Sequence, residues 1–174
     1  MRQASSYLRG PFTALGLGLA LVVCLIDQAS KLWLVFGYDL GARSPVVLAP
    51  VLDLILVRNY GISYGLLQGL GTSARWVLVL GTGVAVAFLW TWLARAGTKL
   101  TAAALGLIIG GAAGNAVDRV LHGGAVIDFL RFHLTTATFD FNWYVFNLAD
   151  SAIVAGVAAL LYESVRADRA AKVP

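Results

Sequence analysis

The chain has 174 residues, of which 59% are hydrophobic and only 13% charged, and its mean hydropathy is +0.80. A soluble domain carries about 25% charged residues, so this composition excludes an ordinary soluble domain and points to an integral membrane protein. The net charge of +4 is small and dispersed, which excludes a nucleic-acid surface, because that needs a clustered basic face.

The first apolar run follows Arg2 and Arg9. A removable signal needs small residues before its cut site, and Val23 precedes Cys24. Apolar character also resumes through Trp33 to Phe36, so a first transmembrane helix is expected over 12–36. Cys24 is the sole cysteine, which leaves no internal disulfide and no thiolate metal cluster. Asp27 and Lys31 stand four apart on one helix face, acid before base. Such a pair either anchors the helix end at the interface or supports a polar site there.

Residues 37–73 change texture. Gly37, Gly41, Pro45 and Pro50 punctuate, and 51–57 reads as a strand, too short to span as a helix. Arg58-Asn-Tyr-Gly-Ile-Ser-Tyr-Gly65 is rich in turn residues, and Asn59 either caps that turn or binds a ligand backbone. A small β-rich extracytoplasmic element is therefore expected between helices one and two, at the interface or covered by helices.

The second span is expected over 75–95, with Trp76 at one end and Trp90 and Trp92 at the other. The third is expected over 100–118, where Gly106, Gly110 and Gly114 form a smooth stripe for close helix contact. Residues 118–144 are expected as an aromatic-rich loop partly in the interface. The fourth span is expected over 145–165, with Asn147 and Asp150 in its first turns. The predicted fold class is thus an all-α polytopic membrane protein, one domain over 1–174, with both termini cytoplasmic.

This topology gathers Asp27, Asn115, Asp118, Arg119, Asp128, Asn147 and Asp150 at one membrane face. Carboxylates held close together share protons: one stays ionised as a base while its neighbour stays protonated as an acid. The residues alone leave three readings open: a hydrolytic dyad, a polar pathway for an ion or small solute, and a structural polar cluster. In the third, Asp118 and Arg119 pair at a helix end, and Asp150 is a first-turn acid beside an Asn147 cap. The sequence contains no Ser-His pair, no activated cysteine and no His-Glu-x-x-His motif. His122 and His133 make no convincing metal site, and no metal or cofactor is expected.

Five blocks carry a resemblance: Asp27-Gln-Ala-Ser-Lys31, Asn59-Tyr-Gly61, Gly110-Gly-Ala-Ala-Gly-Asn-Ala-Val-Asp-Arg119, Val126-Ile-Asp-Phe129 and Phe146-Asn-Leu-Ala-Asp-Ser151. In order, they resemble the signature blocks of the lipoprotein signal peptidases (signal peptidase II). The resemblance implies an aspartic endopeptidase of the bacterial inner membrane, active near its outer face. Its partners would be membrane lipid and diacylated prolipoproteins, cut just before the lipidated cysteine. By position it implies Asp128 and Asp150 as the catalytic pair, with Asp140 as a fallback for Asp128. Asn59, Asn115, Arg119 and Asn147 would line the site, and Asp27 and Lys31 would support it. Asp118 (paired with Arg119), Gly61, Gly110 and Gly114 would be structural. Two departures stand out. Ile62-Ser63-Tyr64 replaces the usual Ala-Ala-Phe, and the link from Asp118 to Asp128 is one residue longer than expected. The Gly69–Gly71 region and residues 118–144 are expected to fold over a substrate.

Overall fold

The computed structural model describes residues 8–61 and 73–171. Helix α1 spans Thr13–Leu32 and runs on into a π-helical turn at Trp33–Gly37. A one-turn helix α2 (Leu40–Arg43) leads into strands β1 (Val46–Ala49) and β2 (Leu52–Asn59). Helices α3 (Ser73–Leu93) and α4 (Lys99–Leu121) follow, then β3 (Val126–Thr135), β4 (Asp140–Asn142) and α5 (Leu148–Ala171). Among the described residues, four helices are long and apolar enough to cross a membrane.

α4 is the most buried of the four and α3 the least. Its small residues explain this. A methyl group added at Gly106 would sit 2.4 Å from the Gly16 carbonyl oxygen, and one at Gly110 would sit 2.5 Å from that of Ala20. The α1 backbone is therefore in direct contact with this stripe, as its spacing predicts. Gly111 does the same toward α5, where an added methyl would meet the Ala149 carbonyl oxygen at 2.4 Å. Leu93, Ala102, Leu105 and Ile109 fill the core between the helices. Leu21, Leu25, Leu80, Val84, Phe88, Val154 and Leu161 point outward, the apolar exterior that lipid requires.

The four strands form one antiparallel sheet in the order β1-β2-β3-β4. This corrects the all-α expectation for residues 118–144. Within them Val126–Thr135 and Asp140–Asn142 are strands; Val126–Phe129 are buried, and β3 pairs with β2, Val57 opposite Asp128 and Asn59 opposite Val126. The β element expected between the first two spans is only half of the sheet. A strand edge facing the bilayer demands a partner, and β3 supplies it from the other end of the chain. Leu34, Leu40 and Phe129 form a second core that joins the sheet to the end of α1, with Leu54, Leu56 and Leu130 packed around it.

Helix limits differ modestly from expectation. α3 begins at Ser73, α4 continues to Leu121, and α5 starts at Leu148 because Asn147 caps it. The departure at Ile62-Ser63-Tyr64 and the Gly69–Gly71 region lie outside the described residues.

Candidate active site

The polar residues meet where α1, α4, α5 and β3 converge. Lys31 Nζ lies 2.7 Å from Asp27 Oδ2 and 2.8 Å from Asp118 Oδ2, with all three side chains buried. Gln28 Nε2 donates to Asp27 Oδ2 at 3.1 Å, to Asp118 Oδ1 at 2.9 Å and to the Gly114 carbonyl at 3.1 Å. A methyl group at Gly114 would come within 2.8 Å of Asp27 Oδ2, so this glycine makes room for the cluster. The expected Asp118–Arg119 pair is replaced by Asp118–Lys31. Adjacent residues on a helix do not face each other, and Arg119 instead donates through Nη1 to the Asn115 carbonyl at 3.3 Å.

A bridge between chain segments sets up the centre. The Phe129 and Leu130 amides donate to the Phe146 carbonyl at 3.1 and 2.8 Å, and the Phe146 amide returns a bond to Leu130. That holds residue 147 beside β3. Asn147 Nδ2 then donates to Asp128 Oδ1 at 2.7 Å, to Asn115 Oδ1 at 3.1 Å and to the Ile127 carbonyl at 3.3 Å. Its Oδ1 accepts from the Asp150 amide at 2.9 Å, and Asp150 Oδ2 accepts from the Asn147 amide at 3.3 Å. This reciprocal arrangement is a capping box with aspartate in the role usually taken by glutamate. Asn115 Nδ2 completes the ring by donating to Asp150 Oδ1 at 2.8 Å.

Asn59, at the end of β2, donates to Asp128 Oδ2 at 3.0 Å and accepts from the Gly61 amide at 2.8 Å. It thus caps its own turn and also touches Asp128. Gly61 has φ +69°, a left-handed conformation that glycine adopts without penalty. Arg119 Nη2 lies 3.5 Å from where a methyl group at Gly61 would sit, and Arg119 Nε is buried without a partner among the described residues.

Eight of the anticipated residues are therefore joined by side-chain bonds: Asp27, Lys31, Asn59, Asn115, Asp118, Asp128, Asn147 and Asp150. Arg119 lies at their edge. Asp140 does not join them; it is exposed on β4 and bonded to Thr135 and Asn142. Gln28 joins the cluster as well, from inside the first signature block; the signal for it in the sequence is its place between Asp27 and Lys31.

Burial, above all, pushes the Asp128 carboxyl up to about 6. The Asp150 charge adds to the rise, while the Asn59 and Asn147 hydrogen bonds and the Lys31 charge oppose it. Asp128 thus keeps its proton over a range where an ordinary aspartate has lost it. The Asp128 and Asp150 carboxylates are linked through the side-chain amides of Asn147 and Asn115. Among the described residues, no group of three or more His, Cys, Asp or Glu side chains could hold a metal ion.

The chain is similar to known proteins over most of its length. Residues 19–166 match the family model of signal peptidase (SPase) II. The lipoprotein signal peptidase of Beijerinckia indica is 52% identical over 154 residues, 88% of this chain and 89% of that one. That of Nitrobacter hamburgensis is 50% identical over 159 residues, 91% and 96% of the two chains. A bacterial membrane enzyme solved by the in meso method at 2.3 Å resolution has the same fold, with a TM-score of 0.69 over 95% of each chain at 24% identity. With helices able to span the bilayer four times and a family match across most of its length, the chain belongs to the signal peptidase II family of multi-pass membrane peptidases.

Proposed function

We propose that the chain is an aspartic endopeptidase whose catalytic pair is Asp128 and Asp150. It removes the signal peptide from diacylglyceryl-modified prolipoproteins, cutting before the lipidated cysteine. In the favoured topology both termini are cytoplasmic, and the pair lies at the outer face of the bacterial inner membrane. The prolipoprotein is the substrate because relatives about half identical over most of the chain carry the name lipoprotein signal peptidase.

One observation carries the catalytic reading: Asn147 bonds Asp128 through its side chain and Asp150 through its cap. A single residue thereby holds two acids that lie far apart in the sequence. In the proposed reaction, the ionised partner takes a proton from water as that water attacks the scissile carbonyl. The protonated partner donates to the carbonyl oxygen. The resulting tetrahedral diol collapses and the C–N bond breaks; the first aspartate passes its proton to the leaving amine, and the diol proton returns to the second aspartate. A coupled pair titrates as a unit, so the raised carboxyl of Asp128 describes the shared proton as much as one residue. The Arg119 guanidinium, whose Nε has no hydrogen-bond partner among the described residues, would hold a substrate carbonyl as water leaves. The substrate helix enters sideways from the bilayer with its acyl chains left in lipid.

The test is a gel-shift assay on diacylated prolipoprotein with purified enzyme. Asp128→Asn and Asp150→Asn are each expected to remove cleavage by about three orders of magnitude or more, while both variants fold. Ordinary turnover by either one refutes the pair.

A further inference from the structure

The buried Asp27–Lys31–Asp118 cluster does not touch the proposed catalytic carboxylates directly. It touches the backbone beside them. Asp118 Oδ2 accepts from the Ile127 amide at 2.9 Å, and Asp27 Oδ1 accepts from the Ala149 amide at 3.0 Å. Ile127 immediately precedes Asp128, and Ala149 immediately precedes Asp150. Each acid of the cluster therefore holds the amide of the residue that precedes one member of the pair. Lys31 lies between the two acids, and Gln28 bonds both.

Helix packing alone does not account for this choice of residues. Charge inside a bundle is costly, and apolar side chains would pack α1 against α4 at less expense. Apolar side chains would, however, leave the Ile127 and Ala149 amides buried without acceptors, and a buried unpaired amide is costly. The Ala149 amide is one of the first-turn amides of α5 that have no partner within the helix. Asp27 caps it from 122 residues away. A further link runs upward: Lys31 Nζ lies 3.4 Å from Asn115 Oδ1, which also accepts from Asn147. With its oxygen so engaged, the Asn115 amide must turn its NH2 toward Asp150.

We infer that Asp27, Lys31 and Asp118 form a clamp that sets the spacing and orientation of the two catalytic aspartates through the amides of Ala149 and Ile127. Asp27 and Asp118 are positioning residues, and Lys31 neutralises and spaces them. The inference rests on the proposed pair. Its consequence is kinetic: a misplacement of about 1 Å in an active site lowers turnover about 100-fold.

The test uses the full chain in nanodiscs with diacylated prolipoprotein, and normalises turnover to folded enzyme. Asp118→Ala removes the acceptor, whereas Asp118→Asn keeps an oxygen for the Ile127 amide. Asp118→Ala is expected to lose about 100-fold in kcat with little change in KM. The acid limb of its pH profile should also move. Asp118→Asn should recover at least about tenfold of that loss, because a hydrogen bond to the amide survives. Equal losses in the two variants with an unmoved pH limb, or a kcat per folded molecule equal to the parent's, overturn the clamp. If Asp118→Ala fails to fold, Asp27→Ala (no acceptor for the Ala149 amide) and Asp27→Asn (acceptor kept) decide on the same two criteria. Should Asp128→Asn keep full turnover, the failure belongs to the pair, and the clamp is then judged by amide exchange. It requires faster exchange at Ile127 in Asp118→Ala, or at Ala149 in Asp27→Ala; unchanged exchange overturns it.

Discussion

Inside the bundle, Lys31 lies between Asp27 and Asp118, and every carboxylate oxygen of those two acids accepts a hydrogen bond. On the sheet, Asp53 pairs with Arg131 across β2 and β3, with His133 Nε2 3.1 Å away. There the Arg131 side chain is one-third exposed (33%), and Asp53 Oδ1, Arg131 Nε and His133 Nε2 have no hydrogen-bond partner among the described residues. The two clusters differ in how completely their charges are buried: the inner one is buried throughout, whereas buried Asp53 is paired with Arg131 and His133, whose side chains are partly exposed. A buried ion that loses its partner keeps its desolvation penalty; an exposed one is rehydrated and screened. Losing a partner should therefore cost more in the inner cluster, where neither acid nor Lys31 can be rehydrated, than in the outer one, where Arg131 can.

The contrast can be broken or sharpened by experiment. The largest effect should come from the acids that the inner cluster supports, where Asp128→Asn or Asp150→Asn ends cleavage in the gel-shift assay. Next comes Lys31→Met, which leaves Asp27 and Asp118 buried without a counter-ion. It should destabilise the protein by about 3–5 kcal/mol, read as a lowered Tm in detergent. A Tm equal to the parent's would mean that the cluster is not desolvated as described.

A smaller effect concerns pH. Because Asp128 is raised to about 6, kcat should show a titration limb in that region. Asn59 donates to the charged form of Asp128 and holds its carboxyl down. Asn59→Ala should therefore shift the limb to higher pH, and a downward shift would refute the assignment. Stability follows the same sign. The folded state keeps a proton that the unfolded chain loses near 3.8, so this site favours folding most below that value and progressively less as pH rises to about 6.

The smallest effect is expected on the sheet. The Arg131 hydrogen bond, first of all, lowers the Asp53 carboxyl below its ordinary value, with His133 assisting. Its contribution is present above 3.8 and is lost as pH falls through the lowered value. At neutral pH, Asp53→Asn should change Tm far less than Lys31→Met does, with turnover intact. An equal loss would erase the distinction between the two clusters.

The four spans, the Gly106–Gly114 stripe and the Asn147 cap were legible in the amino-acid order, because each rests on local rules. Hydropathy over about 20 residues, spacing by four, and a cap three residues before its acid need no knowledge of distant chain. The polar residues that gather are legible too, since charge in so apolar a chain is conspicuous. Two things depended on contacts across the chain. Residues 126–135 became a strand because β2, some 70 positions earlier, presents an edge to pair with. Asp118 met Lys31 rather than its neighbour Arg119 because helix geometry turns adjacent side chains apart and packs α1 against the face that carries Asp118. Sequence alone settled which groups must be kept from lipid; the packing of α1, α4, α5 and β3 settled which of them satisfy one another, because hydrogen bonds at that depth are chosen by distance in space and not along the chain.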